Sequence, residues 1–124
     1  MTLLDTWAWI EYFNGTDKGL KVKETIEKTQ VYTSVISLAE LSKWVHKNEG
    51  NLEPIIKQVK VNSILLDLEE DVLIESGRKY KEIRKLKKDI GLIDVLIYMT
   101  ANIHGLKVLT GDPDFEGLEG VEIL

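Results

Sequence analysis

Short β-rich apolar runs recur along this chain between longer segments of helical periodicity, and that alternation restricts the fold more than any other feature. Residues 2–4, 31–33, 64–66, 107–110 and 121–123 read as strands, and residues 7–13, 18–28, 37–46, 54–61, 67–86 and 92–104 as helices. Strands that alternate with helices form a mostly parallel sheet, because a parallel crossover needs a helix-length connection. Four or five short strands with helices on both faces, a three-layer αβα architecture, is therefore the expected α/β fold. At 124 residues, with no internal repeat or low-complexity linker, residues 1–124 are expected to make one domain.

Local signals place the helix ends. Thr6 is a suitable cap for the first helix and Asn14-Gly15 a suitable stop, and Asp17 can start the second, whose apolar face would be Leu20, Val22 and Ile26. Ser37-Leu38-Ala39-Glu40 has the spacing of a capping box. Pro54 suits a first turn, Asp67 with Glu70 can open the long helix that packs through Val72, Leu73, Tyr80 and Ile83, and Gly105 suits a left-handed stop.

One stretch does not fit a purely structural reading. Gly91-Leu92-Ile93-Asp94-Val95-Leu96-Ile97 sets a lone carboxylate in an apolar run, so the flanks predict burial of Asp94, and no basic neighbour offers a counter-charge. The carboxyl edge of a parallel sheet is where ligands bind, and other acids fall there. Asp5 directly follows the first strand, Asp112 lies two residues beyond the fourth, and Glu40 and Asp94 sit in first helical turns. Four converging carboxylates repel one another unless a cation lies among them, and oxygen-only ligation selects a hard ion such as Mg²⁺ or Mn²⁺. The matching chemistry is metal-assisted phosphodiester hydrolysis with water as nucleophile.

Composition narrows the classes. Apolar residues at 44% and charged residues at 30% suit a folded soluble protein, and the absence of cysteine removes disulfides, thiolate metal sites and cysteine nucleophiles. No apolar run approaches a membrane span, and the start Met1-Thr2-Leu3-Leu4-Asp5 lacks the features of a signal peptide, so a cytoplasmic location is expected. The net charge of −5 conceals an asymmetry: residues 78–88 carry seven basic residues and one acid, a net +6, which leaves −11 elsewhere. Such a chain can hold phosphates and cations at different places.

The acid motifs also resemble a known family. Asp5-Thr6-Trp7-Ala8-Trp9-Ile10-Glu11 is similar to the opening motif of PIN-domain nucleases, and Ser37-Leu38-Ala39-Glu40-Leu41 to their second. Ile93-Asp94-Val95-Leu96-Ile97-Tyr98-Met99-Thr100-Ala101 resembles the third, and Leu109-Thr110-Gly111-Asp112-Pro113-Asp114-Phe115 the fourth. Order, spacing and length match the VapC-type toxins of toxin–antitoxin pairs. The resemblance implies an endoribonuclease in which Asp5, Glu40, Asp94 and Asp112 hold Mg²⁺ or Mn²⁺. It implies Asp114 as an additional acid, and Thr6 and Thr110 as hydroxyls supporting the acids or their waters. It further implies an RNA substrate, a small antitoxin partner and a homodimer. Gly111 departs from the pattern, since the family more often has a polar or basic residue there. The alternatives are a PIN nuclease of RNA processing or decay without an antitoxin, and a binding module of the same fold that has lost catalysis.

Plainer readings stand beside these. Glu40 also fits a capping box, Asp5 an end-of-strand turn, and Asp112 and Asp114 a turn around Pro113. The basic strip fits a solvated helix end, with Lys79, Arg84, Lys85, Lys87 and Lys88 as candidate RNA contacts. Trp7, Trp9 and Trp44 read as packing or interface residues, with base stacking as the alternative. His46 and His104 fall late in their helices, away from the acid motifs, which disfavours a Ser-His-Asp triad.

Overall fold

The computed structural model describes residues 1–124. The chain runs β1 (Thr2–Leu4), α1 (Thr6–Asn14), α2 (Asp17–Lys28), β2 (Val31–Ser34), α3 (Ile36–Lys47), α4 (Leu52–Asn62), β3 (Ile64–Leu66), α5 (Glu70–Leu86), α6 (Leu92–Ile103), β4 (Lys107–Thr110), a 3-10 turn (Pro113–Phe115) and β5 (Val121–Ile123). The five strands form one sheet in the order β3-β2-β1-β4-β5, and every pairing is parallel.

The three layers follow from alternation along the two central strands. Leu3 and Val108 point to one face, against Val72, Ile83, Ile90, Val95 and Ile97 of α5, α6 and their connection. Leu4 and Leu109 point to the other, against Ala8, Trp9, Val22, Leu41 and Val59 of α1 to α4. Burying each of these aliphatic side chains contributes about 1.5–3 kcal/mol. Trp9 is fully buried and donates its indole N–H to Thr33 Oγ1 at 3.0 Å, and its ring begins a run of aromatic contacts through Phe13 to Trp44. Two of the three tryptophans are thus packing residues.

Several local signals resolve differently from the expectation. Asp5, not Thr6, caps α1: its side chain accepts from Ala8 N–H, freeing the Thr6 hydroxyl for tertiary contacts. Thr16 rather than Asp17 caps α2. Helix α3 begins at Ile36 with no side-chain cap, so Ser37 and Glu40 form no capping box. Helix α5 begins at Glu70, with Asp67 outside it and no side-chain cap at Glu69. Leu20 and Leu73 are exposed, because each lies on the outer flank of its helix while Val22 and Val72 take the buried positions. Gly15 and Gly105 both adopt the left-handed conformation with φ of 66°, as expected for helix stops.

Helix α2 packs against the backbone of α1 at Gly19. A Cβ there would lie 2.1 Å from the Glu11 carbonyl oxygen and 2.7 Å from its carbon, so backbone would have to move. Gly77 in α5 has nothing within 4 Å of the same position. Gly19→Ala should therefore lower stability by about 1–3 kcal/mol, whereas Gly77→Ala should raise it by about 0.4–1 kcal/mol. Urea unfolding midpoints of the two variants check this pair.

Candidate active site

The order of the strands locates the site before any side chain is considered. From β1 the chain moves through β2 to β3 at one edge, then returns through α5 and α6 to place β4 on the other side of β1. The reversal leaves a crevice beyond the carboxyl ends of β1 and β4. Asp5 follows β1 and Asp112 follows β4 at this point, while the first turn of α6 brings Asp94 to it and α3 brings Glu40. Glu40 lies one residue beyond the first turn in which the sequence placed it, because α3 starts at Ile36. A cleft of about 150 Å³ is lined by Asp5, Thr6, Trp7, Ile10, Glu40, Asp94, Ile97 and Asp112. A larger hollow of about 560 Å³ near Ile26–Gln30 and Val61–Ile64 gathers no comparable set of acids. The structure therefore brings together the four acids singled out in the sequence.

Each acid is anchored by its own local bond. Asp5 Oδ1 accepts from Ala8 N–H at 2.8 Å, and Oδ2 accepts from the Thr110 hydroxyl. Thr110 Oγ1 in turn accepts from Asp112 N–H at 2.9 Å, so one hydroxyl links the acids that follow β1 and β4. Thr6 donates to Glu40 Oε1 at 2.6 Å, and its oxygen lies 3.0 Å from the buried Ser37 hydroxyl. This contact explains the Ser37-x-x-Glu40 spacing: one turn of α3 places both side chains on Thr6. Asp94 Oδ2 accepts from Gly91 N–H at 3.0 Å, the return arm of a capping box whose other arm is lacking because Gly91 has no side chain. Asp112 Oδ1 accepts from Asp114 N–H at 2.9 Å and so caps the 3-10 turn.

Burial and crowding act on Asp5, Asp94 and Asp112 in the same direction. Asp5 is only 3% exposed. Burial pushes its pKa up to about 7 against the Thr110 and Ala8 bonds, with smaller upward contributions from Asp112 and Asp94. Asp94 is raised chiefly by desolvation, opposed by the Gly91 bond, with Asp112, Glu40 and Asp114 adding repulsion. Asp112 is raised by desolvation and by Asp114, while its bond from Asp114 N–H and the charge of Lys87 pull the other way. The burial of Asp94 is less complete than its apolar flanks predict. Leu92 and Ile93 are 49% and 42% exposed, since they occupy the free first turn of α6, and only the following turns, from Val95 to Ala101, pack on the sheet.

Carboxylate oxygens gathered at one cleft suit a hard divalent cation, whose charge offsets the local repulsion. No three acidic or histidine side chains are already disposed as a finished ligand set. Asp114 does not line the cleft and acts on it through its charge and its bond to Asp112. Of the basic strip, Lys79 lies 3.9 Å from Glu82, and Arg84 sits 5.6 Å over the Tyr80 ring and donates to its hydroxyl at 2.7 Å. Lys85 and Lys88 are exposed, and Lys87 is half-buried and close enough to influence Asp112. His46 is bound within α3, and His104 lies 3.4 Å from Glu69, so neither lines the cleft. Trp7, expected from the sequence to be a packing or interface residue with base stacking as the alternative, lines the cleft. Its position two residues after Asp5, on the same first turn of α1, was the available signal.

The PIN domain family matches residues 2–121 of the chain. No curated protein matches it. Among solved structures, a toxin–antitoxin complex from Klebsiella pneumoniae is 25% identical with a TM-score of 0.74, over 98% of this chain and 96% of that one. VapBC2 from Rickettsia felis, bound to a DNA fragment from its promoter, is 18% identical with a TM-score of 0.74, over 99% and 96% of the two chains. VapC20 from Mycobacterium tuberculosis, a sarcin–ricin loop cleaving toxin, is 14% identical with a TM-score of 0.74, over 99% and 98%. These last two likenesses concern the fold.

The raised pKa of Asp5 has a thermodynamic consequence. Between about pH 4 and 7 the unfolded chain ionises this carboxyl while the folded chain keeps it protonated, so the folded state binds more protons and its stability falls as pH rises through that window. In chelator-containing buffer, Asp5→Asn should match the parent below pH 4 and be the more stable protein above pH 7. Thermal unfolding across that range checks the sign.

Proposed function

Because this chain belongs to the PIN domain family, we propose that it is a metal-dependent endoribonuclease, the toxin of a type II toxin–antitoxin pair. The observation that carries this reading is the cleft at the strand-order reversal, where four carboxylates from four separate parts of the chain line about 150 Å³ and Asp5 is buried with its pKa raised to about 7. A fold alone does not need this arrangement, since buried acids without counter-charge are costly. The toxin–antitoxin complexes among its structural likenesses support the assignment of a small antitoxin partner. On the same reading the chain acts as one nuclease domain over residues 1–124, works in the cytoplasm and forms a homodimer.

Asp5, Glu40, Asp94 and Asp112 would hold Mg²⁺ or Mn²⁺, with Asp114 adding negative charge behind Asp112. When bound, the ion supplies a Lewis acid for a phosphate oxygen and lowers the pKa of a water. The residues of the chain do the positioning. Thr110 and the Ala8 N–H fix both oxygens of Asp5, Thr6 orients Glu40, and the Gly91 N–H orients Asp94. Such supporting bonds restrict the ligands to one arrangement and are part of the site's function. Water serves as nucleophile, in keeping with a cleft lined by no serine, cysteine, histidine or lysine. Among the five basic candidates, Lys85, Lys87 and Lys88 suit phosphate contacts best, because Lys79 has an acidic neighbour and Arg84 is engaged with Tyr80.

Incubation of the purified protein with mixed cellular RNA, followed by mapping of the cut ends, tests the reading. Cleavage should require Mn²⁺ or Mg²⁺, stop with chelator and return when the ion is restored. Thr110→Val should cost about 10- to 100-fold in rate by releasing Asp5, and Asp94→Asn at least as much with the fold intact. Undiminished cutting by a folded Asp94→Asn protein would overturn the proposal.

A further inference from the structure

We propose that Trp7 is a base-stacking platform at the mouth of the acidic cleft, and that Gly111 is glycine because the indole occupies the space a side chain would need. This inference rests on the ribonuclease reading above and names how that site would select its substrate.

Three observations converge on Trp7. It lines the cleft together with Asp5, Glu40, Asp94 and Asp112, yet is 41% exposed, whereas Trp9 is fully buried and Trp44 is stacked on a neighbouring ring. Its orientation is held: the indole N–H donates to Glu11 Oε1 at 3.2 Å, one helical turn on. The pyrrole side is seated on the backbone at Gly111, where a Cβ would come within 2.7 Å of both Cδ1 and Nε1. The backbone at Gly111 does not have positive φ, so the glycine is not required by a turn. The indole is what occupies the space a side chain would take.

A fixed, solvent-facing indole beside four carboxylates solves a specific difficulty. Phosphates are repelled by the acids until a cation intervenes, and the chain is negative overall. Stacking of a base on an aromatic ring needs no charge, works on unpaired nucleotides and tolerates sequence. An unpaired base lying on Trp7 would bring its adjoining phosphate to the cleft. The platform therefore favours single-stranded or looped RNA over a continuous duplex, whose stacked bases leave no face free.

Binding of an unstructured oligoribonucleotide of about ten residues, a length within the site size of single-strand binders, tests this. Titrations use Ca²⁺, a hard cation that takes oxygen ligands, and a matched chain with abasic riboses. Anisotropy of a dye on the oligonucleotide reports affinity, and tryptophan emission reports stacking. The expected results are quenching of the parent's emission by the base-bearing chain only, and loss of that quenching in Trp7→Phe with affinity nearly retained. Affinity should fall about tenfold or more in Trp7→Ala. Gly111→Ala should weaken binding by displacing the indole while the Trp7 side chain itself is kept. Equal affinity for the abasic chain, no binding of either chain, or unchanged affinity in Trp7→Ala overturns the inference; tight binding indifferent to bases would point to phosphate contacts instead. Metal-dependent cleavage measured in parallel separates the two readings. Stacking without cutting removes the nuclease and leaves the platform, and cutting with base-indifferent binding removes the platform and leaves the nuclease.

Discussion

The carboxylate of Asp5 is held from two directions, and the geometry of the site depends on it. One oxygen caps α1 through the Ala8 N–H, and the other receives the Thr110 hydroxyl from β4. The first bond sets where α1 begins and therefore where Thr6 and Trp7 point; the second joins the strands on either side of the chain's reversal. Thr110 passes the constraint on by accepting from Asp112 N–H. A residue required to end a strand, start a helix and bridge to a neighbouring strand has little freedom left. Its burial cost is then tolerated because three elements would lose their alignment without it.

Much of this architecture was legible in the chain because parallel strands buried on both faces read as short continuous apolar runs. Residues 64–66, 107–110 and 121–123 coincide with β3, β4 and β5. The strand order was not legible, since no local pattern records that β4 passes β2 and β3 to lie beside β1. Cap positions shifted where two adjacent residues both had capping chemistry, as with Asp5 and Thr6, or Thr16 and Asp17. The interval between Ser37 and Glu40 looked like a helix start because a capping box and a shared contact to Thr6 both need residues one turn apart. Apolar content misled at Leu92 and Ile93, where a helix begins before it reaches the sheet. Asp5 and Asp112 could be found from their positions after strands, and Glu40 and Asp94 from helix starts and the apolar flanks of Asp94. The contact that separates Trp7 from Trp9 and Trp44 could not, because it is made with Gly111, more than a hundred positions away.

The charge distribution separates two tasks. Negative charge is concentrated at the cleft, where burial and, to a smaller extent, neighbouring carboxylates raise the pKa of Asp5, Asp94 and Asp112, and positive charge lies along the last turns of α5 and the loop beyond it. Lys87 lies where the two regions meet, since its charge reaches Asp112. Long-range attraction for a polyanion and local affinity for a cation can then coexist on one small surface, each screened differently by salt.

The central place of β4 also bears on timing. β1 is at the start of the chain but cannot be completed on one side until Lys107–Thr110 exists to pair with it, and Asp112 comes later still. During synthesis, β1, β2 and β3 all emerge before β4, and their register pairs, such as Thr2 with Val31 and Tyr32 with Ile64, are far closer in sequence than Thr2 with Lys107. The cleft cannot form before β4 has emerged. It comes into being late, when the strand that closes the middle of the sheet is inserted, so a growing chain carries its earliest acid for most of its synthesis without a site for that acid to serve.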